Sequence, residues 1–301
     1  MLGKRLATGL ILALVLTVAV MVDERLAPWY PCWFLLAAVA MVEGAREICG
    51  LLARTSARPS ANAVFGGVLA LVVANWAPHV TAALEAAPAL DGLSAMGPPA
   101  VFAWPLWAFA AAVMATFVAQ SVQFVEPGRT MATIAGTVLA IAYVGLLGSF
   151  VIQFRWLGGP HLGLLAVAGL FATAKGADIG AYTFGRLAGR HKLWPRLSPN
   201  KTVEGAMGGL VFGVIGAVGV EAMAQGVFGH ELLGWRAAVG FGLAVGAAAQ
   251  LGDLMESMIK RDCAQKDASD TLPGFGGVLD VLDSLLFAGP VAYGYWLLVG
   301  L

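Results

Sequence analysis

Nine apolar runs, each near the length needed to cross a bilayer, follow one another along this chain. They lie at about residues 6–22, 32–53, 62–77, 101–120, 131–153, 161–177, 203–225, 236–259 and 278–299. A helix crosses the hydrocarbon core with about 20 residues. In lipid every backbone polar group must be satisfied within the spanning structure, which selects helices for runs of this kind. The pattern predicts an all-α, polytopic integral membrane protein. Composition agrees: 59% of the 301 residues are hydrophobic, 12% are charged, and mean hydropathy is +0.81. A soluble domain carries about 25% charged residues. The second run is the least regular, because Glu43, Arg46 and Glu47 interrupt it; a partly interfacial helix is the alternative there. Lys4 and Arg5 before an apolar run resemble a signal peptide. No small-residue cleavage site follows and further spans do, so the expectation is an uncleaved first span.

Lysine and arginine set the orientation. With the N-terminus in the cytoplasm, fifteen of the eighteen fall at inner ends and loops, leaving only Arg25, Arg155 and Arg236 outside. Nine spans then put the C-terminus outside. A formal net charge of zero gives no basic footprint for nucleic acid. Cys32, Cys49 and Cys263 are scattered, as are the four histidines, so neither a disulfide framework nor a zinc site is indicated. The halves differ in character. Residues 1–127 form an N-terminal transmembrane region with few polar groups, and 128–301 a C-terminal one with nearly all the patterned ones, divided near Pro127-Gly128. Gly205, Gly209 and Gly213 repeat every four residues, as do Gly242 and Gly246. Such faces let helices approach closely in lipid, although ordinary transmembrane glycine explains them as well.

Charge at membrane depth is costly and points to function. It crowds into 251–286, LGDLMESMIKRDCAQKDASDTLPGFGGVLDVLDSLL. Asp253, Glu256, Ser257 and Lys260 stand at i, i+3, i+4 and i+7, one face of a helix. Asp280 and Asp283 share a face of the next. Asp253, Asp280 and Asp283 are the candidate metal ligands. Carboxylates facing one another in a partly dry site repel, and a hard divalent cation relieves this. Ion pairing with Lys260, Arg261 or Lys266 for structure alone is the competing reading. Those three cations, with Asp267, are candidate catalytic residues: a metal flanked by Lys and Arg suits a polyphosphate. A second inner loop, 178–205, is glycine-rich, basic and hydroxyl-bearing. Asp178, Ser198, Lys201, Thr202 and Glu204, with Ser257, are candidate substrate-binding residues, helped by the N–H groups that open the seventh span. Anionic-lipid binding by a basic surface is the alternative. The P-loop pattern GxxxxGK[ST] is absent.

These blocks resemble the signature of phosphatidate cytidylyltransferases, also called CDP-diacylglycerol synthases. The resemblance rests on G-D-L-x-E-S-x-x-K-R at 252–261, K-D at 266–267, P-G-x-G-G-x-L-D-x-x-D-S at 273–284, and DIGAY…FGR…GRHKL…LSPNKTVEG at 178–205. Together they cover about 110 residues of the C-terminal half; the N-terminal half is similar only in being apolar and multi-span. The chain departs from the pattern at Phe275, where the family has His, at Val281, where it has Arg, and at Asn200, where Lys is usual. These departures bear on the level of activity and the exact substrate.

The resemblance implies an integral membrane enzyme, often a homodimer, making CDP-diacylglycerol and pyrophosphate from CTP and phosphatidate. It implies magnesium as cofactor, with or without a potassium neighbour, and Asp253 and Asp283 as its ligands. The site would face the cytoplasm from the cell (inner) membrane, where CTP arrives from one side and the membrane lipid enters between helices. A cation- or proton-coupled transporter, an inactive homologue, and an enzyme for a different lipid phosphate are the other readings.

Overall fold

The computed structural model describes residues 2–85, 98–229, 231–272, 274 and 276–299. Phe275, one of the departures, lies outside them. The chain divides into two compact units: Met1–Gln153 with Asp267–Leu279, and Phe154–Lys266 with Asp280–Leu301. The expected all-α membrane architecture is what forms. Seven helical stretches among the described residues are long and apolar enough to cross a membrane.

The first unit contains α1 (Leu2–Asp23), α2 (Pro31–Leu52), α3 (Ala61–Glu85) and α4 (Pro98–Val122). A continuous rod follows, made of α5 (Thr130–Ala140), a π-helical turn at Ile141–Leu146 and α6 (Leu147–Gln153). The irregular second run forms one helix, α2, with Pro31 in its first turn, and is not among those seven stretches. Asp23 is fully buried and caps it, accepting the N–H groups of Cys32 at 2.9 Å and Trp33 at 2.5 Å. A helix start leaves such N–H groups without partners, and a carboxylate satisfies them.

This half is less bare of polar groups than its composition suggests. Asn75 on α3 donates to the hydroxyl of Ser149 at 2.9 Å and to the carbonyl of Leu71 at 2.7 Å. Gln153 donates to the Asn75 side-chain oxygen at 2.9 Å, and its own oxygen lies 3.1 Å from Nε2 of His79. Side-chain hydrogen bonds between helices bind them where lipid offers no hydrophobic drive.

The second unit holds α7 (Pro160–Ala188), strands β1 (Lys192–Trp194) and β2 (Ser198–Thr202), α8 (Val203–Phe228), α9 (Trp235–Asp262) and α10 (Leu279–Val299), the last from Asp280 onward. Two expectations are corrected. The sixth span does not stop at residue 177: α7 runs on to Ala188, so Asp178 is helical. The rest of the inner loop is an antiparallel β1–β2 hairpin rather than irregular chain. The extension persists because α7 lies against α8 at glycine distance. A Cβ on Gly180 would strike the Gly208 carbonyl and the Phe212 side chain, and one on Gly209 would come within 2.9 Å of the Ala177 carbonyl. The glycine ladder read from the sequence thus lines a close helix contact.

Candidate active site

The site is assembled within the second unit from α7, β2, α9 and α10. Gly252 lets α9 and α10 meet: a Cβ there would run into the Asp283 carbonyl oxygen and lie 3.0 Å from Cβ of Phe287. The next residue, Asp253, therefore stands beside the carboxylate-bearing turn of α10. Among the described residues, Asp253, Glu256 and Asp283 form the one group of three potential metal ligands, with a carboxylate oxygen from each within 4.8 Å of the others.

Glu256 is fully buried. Its Oε2 is ion-paired with Lys260, one turn on, and neither oxygen accepts a well-directed hydrogen bond. Lys260 also reaches α10, where its ammonium donates to Oδ1 of Asp280 at 2.6 Å. Asp280, expected among the metal ligands, is thus turned toward Lys260, and Glu256 occupies the third place in the converging group.

Lys175 on α7 braces the other side. Its ammonium donates to Oδ2 of Asp178 at 3.1 Å, to the Val281 carbonyl at 2.8 Å and to the Ser284 hydroxyl at 2.8 Å. The Ser284 hydroxyl in turn donates to Oδ2 of Asp178 at 3.2 Å, and its backbone N–H to Oδ1 of Asp283 at 2.5 Å. In the sequence Lys175 figures only as one of the inner positive charges. The signal available was its position three residues before Asp178, which puts both on one helix face.

The hairpin supplies Lys201. Its ammonium nitrogen is shielded from solvent and lies 2.8 Å from Oδ2 of Asp253, yet it makes no well-directed hydrogen bond. The neighbouring candidates shape the hairpin. The Thr202 hydroxyl caps α8 by accepting the Gly205 N–H at 3.1 Å. Glu204 accepts the N–H groups of Arg190 at 3.0 Å and His191 at 3.2 Å, and meets the His191 ring at 2.6 Å. Ser198 opens β2 half-buried, and Ser257 is buried on α9. Arg261 and Lys266 are exposed; the Arg261 guanidinium donates to the Gln265 carbonyl at 2.7 Å. Asp267, in the first unit, is exposed as well.

The electrostatics fit a divalent cation. Five carboxylates, at Asp178, Asp253, Glu256, Asp280 and Asp283, face three ammonium groups, at Lys175, Lys201 and Lys260. The excess of two formal negative charges is what one divalent ion offsets. The donors are all oxygens, the preference of a hard cation. A buried carboxylate without directed hydrogen bonds, as at Glu256, is penalised, and a bound cation would relieve that cost.

The chain is 40% identical over 153 residues to a protein of Staphylococcus saprophyticus named phosphatidate cytidylyltransferase, covering 51% of this chain and 55% of that one. It is 38% identical over 155 residues to the protein of that name from Bacillus subtilis, covering 52% and 55%. For the Staphylococcus aureus protein of the same name the identity is 39% over 153 residues, covering 51% and 55%. The chain spans about half the length of the curated relatives it matches. The profile of the cytidylyltransferase family, however, matches residues 3–299. This chain belongs to the cytidylyltransferase family.

Proposed function

We propose that this protein makes CDP-diacylglycerol and pyrophosphate from CTP and phosphatidate, at the cytoplasmic face of the cell membrane. The observation that carries the reading is the convergence of Asp253, Glu256 and Asp283 with Lys201 and Lys260 where membrane-length helices α9 and α10 meet. Nine spans with the N-terminus in the cytoplasm, and assembly as a homodimer, complete the proposal.

Phosphatidate brings an ionised phosphate, so the protein needs no nucleophile of its own. One phosphatidate oxygen attacks the α-phosphorus of CTP. The bond from that phosphorus to the bridging oxygen breaks, and pyrophosphate leaves with the electron pair. Catalysis of such a step is mostly alignment and charge stabilisation. Asp253, Glu256 and Asp283 would hold a magnesium ion, with or without a potassium neighbour, which when bound offsets charge on the phosphate oxygens. Lys201 has hydrogen-bonding capacity to give a CTP phosphate oxygen, at the start of α8 where helix N–H groups favour anions. Lys260 ties α9 to α10, and Lys175 ties α7 to α10, so the acids keep their separation while the substrate changes charge. Arg261 in the last turn of α9, with Lys266 and Asp267 just after it, all exposed, meet CTP arriving from the cytoplasm, and the hydroxyls of Ser198 and Ser257 add polar contacts.

The test is purified protein in detergent or vesicles with CTP, phosphatidate and magnesium, following labelled CDP-lipid and pyrophosphate. Equal amounts of both products are expected, dependent on the metal. Intact CTP after prolonged incubation overturns the reading. Cation flux into vesicles by the same inactive preparation would assign the acids to transport instead.

A further inference from the structure

Glu47 is a buried carboxylate that the chemistry above leaves unused. It sits near the end of α2, in the half of the chain without candidate site residues, and is 4% exposed. Its Oε1 accepts the Ser269 hydroxyl at 2.6 Å and the Val278 N–H at 3.0 Å, and its Oε2 accepts the Leu279 N–H at 2.7 Å. Leu279 is the first residue of α10. Helix caps are ordinarily supplied by a side chain a few residues upstream. Here the cap comes from another helix, 232 residues earlier in the chain.

Three further details mark this as a built junction. Gly277 leaves the space: a Cβ on it would land on the Glu47 carboxylate. Arg46 donates to the Thr271 hydroxyl at 3.3 Å, and the Thr271 N–H donates to Oγ of Ser269 at 3.1 Å. Leu272 and Gly276 exchange both backbone hydrogen bonds, at 2.7 and 3.1 Å, closing the turn between those anchors. The loop is therefore fastened to α2 near both ends. A carboxylate at this end of α10 also meets the positive end of the helix dipole. Asp280, which pairs with Lys260, is the next residue of the same helix, and Asp283 follows one turn later.

We infer that Glu47 is a positioning residue for the site: by capping α10 from α2 it fixes the first turn of the helix that carries Asp280 and Asp283. Its kinetic consequence rests on the proposed cytidylyl transfer; the cap itself does not. The charge, not the shape, is what the junction uses, because a carboxylate offers acceptors on both oxygens. Glutamine keeps the volume and presents an N–H₂ group to one of the donors.

The experiment combines hydrogen exchange with kinetics on the full-length protein. In the wild type the Val278 and Leu279 amides are expected to exchange at least tenfold more slowly than those of the exposed Lys266 and Asp267. Glu47→Gln should erase that protection without moving the thermal midpoint of the helices. It should lower kcat at least tenfold and weaken binding of Mn²⁺ alone, while KM for CTP stays within about twofold. Ser269→Ala, which removes one donor, should do the same to a smaller degree. Unprotected amides in the wild type overturn the inference, and this measurement stands even where a variant fails to fold. Faster exchange in Glu47→Gln with unchanged kcat and Mn²⁺ affinity also overturns it, leaving a cap that positions nothing. A wild type with no CTP turnover removes the proposed function instead, while exchange and Mn²⁺ binding still judge Glu47.

Discussion

The Lys201 ammonium lies 2.8 Å from Oδ2 of Asp253, so the hairpin between α7 and α8 delivers a cation onto a carboxylate of α9. The same Asp253 converges with Glu256 and Asp283. A lysine that pairs with a ligand of the candidate metal centre is placed to exchange that carboxylate for a phosphate. Its incomplete hydrogen bonding leaves the capacity to do so.

Lys201→Ala is expected to weaken CTP use with little effect on membrane assembly. A charge-assisted hydrogen bond is worth about 1.5–3 kcal/mol, which corresponds to a tenfold to hundredfold loss in kcat/KM. Steady-state kinetics over a CTP range, with detergent-stable yield as the control, checks it. Unchanged kinetics would leave Lys201 as a partner for Asp253 alone.

Asp283→Asn and Glu256→Gln keep side-chain shape and remove charge. Each should abolish cytidylyl transfer, by a hundredfold or more, and weaken Mn²⁺ binding, while the helices still assemble. The pair distinguishes two ligand sets. Wild-type metal affinity in Glu256→Gln would return the third place to Asp280, which the structure holds against Lys260 at 2.6 Å.

Gly252→Ala tests the helix contact rather than the chemistry. The added methyl meets a main-chain oxygen, that of Asp283, which cannot rotate away. Overpacking of this kind costs about 1–3 kcal/mol. A lower thermal midpoint together with weakened Mn²⁺ binding is expected, since α9 and α10 must separate where their acids converge. A midpoint loss with unaltered metal affinity would show that the ligands do not depend on this contact.

Seven of the nine spans and the shared face of Asp253, Glu256 and Lys260 were legible because both are local: one is a length of apolar chain, the other a helical spacing. Glycine spacing on the seventh span likewise marked a face open to close helix contact, and the fold supplied α7 as its partner. What stayed hidden lies between elements distant in sequence. Lys175 finds Ser284 across 109 residues, and Glu47 finds Leu279 across 232. In the sequence the first looks like topology-setting charge and the second like a flaw in an apolar run. Glu47 is buried and Lys175 half-buried, and only the fold supplies their partners. The helical course of 178–188 was obscured for a related reason. Its glycines and polar residues argue for a loop, and packing against α8 overrides that local tendency.

The departures at Phe275 and Val281 lead to the last prediction. Phe275→His combined with Val281→Arg, which restores the family pattern, is expected to leave activity within about tenfold of the parent. An effect below about 1.4 kcal/mol is the corresponding free energy. The carboxylates Asp253, Asp280 and Asp283 are all present, as are Lys260, Arg261, Lys266 and Ser257. The contact that position 281 makes with Lys175 uses its backbone carbonyl, at 2.8 Å, which any side chain there permits. A site that had merely decayed has no reason to keep every charge on two helix faces and lose only the polar groups around them. Two results would sink this. One is a parent protein with no metal-dependent CTP turnover. The other is a double mutant that acquires turnover the parent lacks, which would show the natural site to be broken rather than retuned.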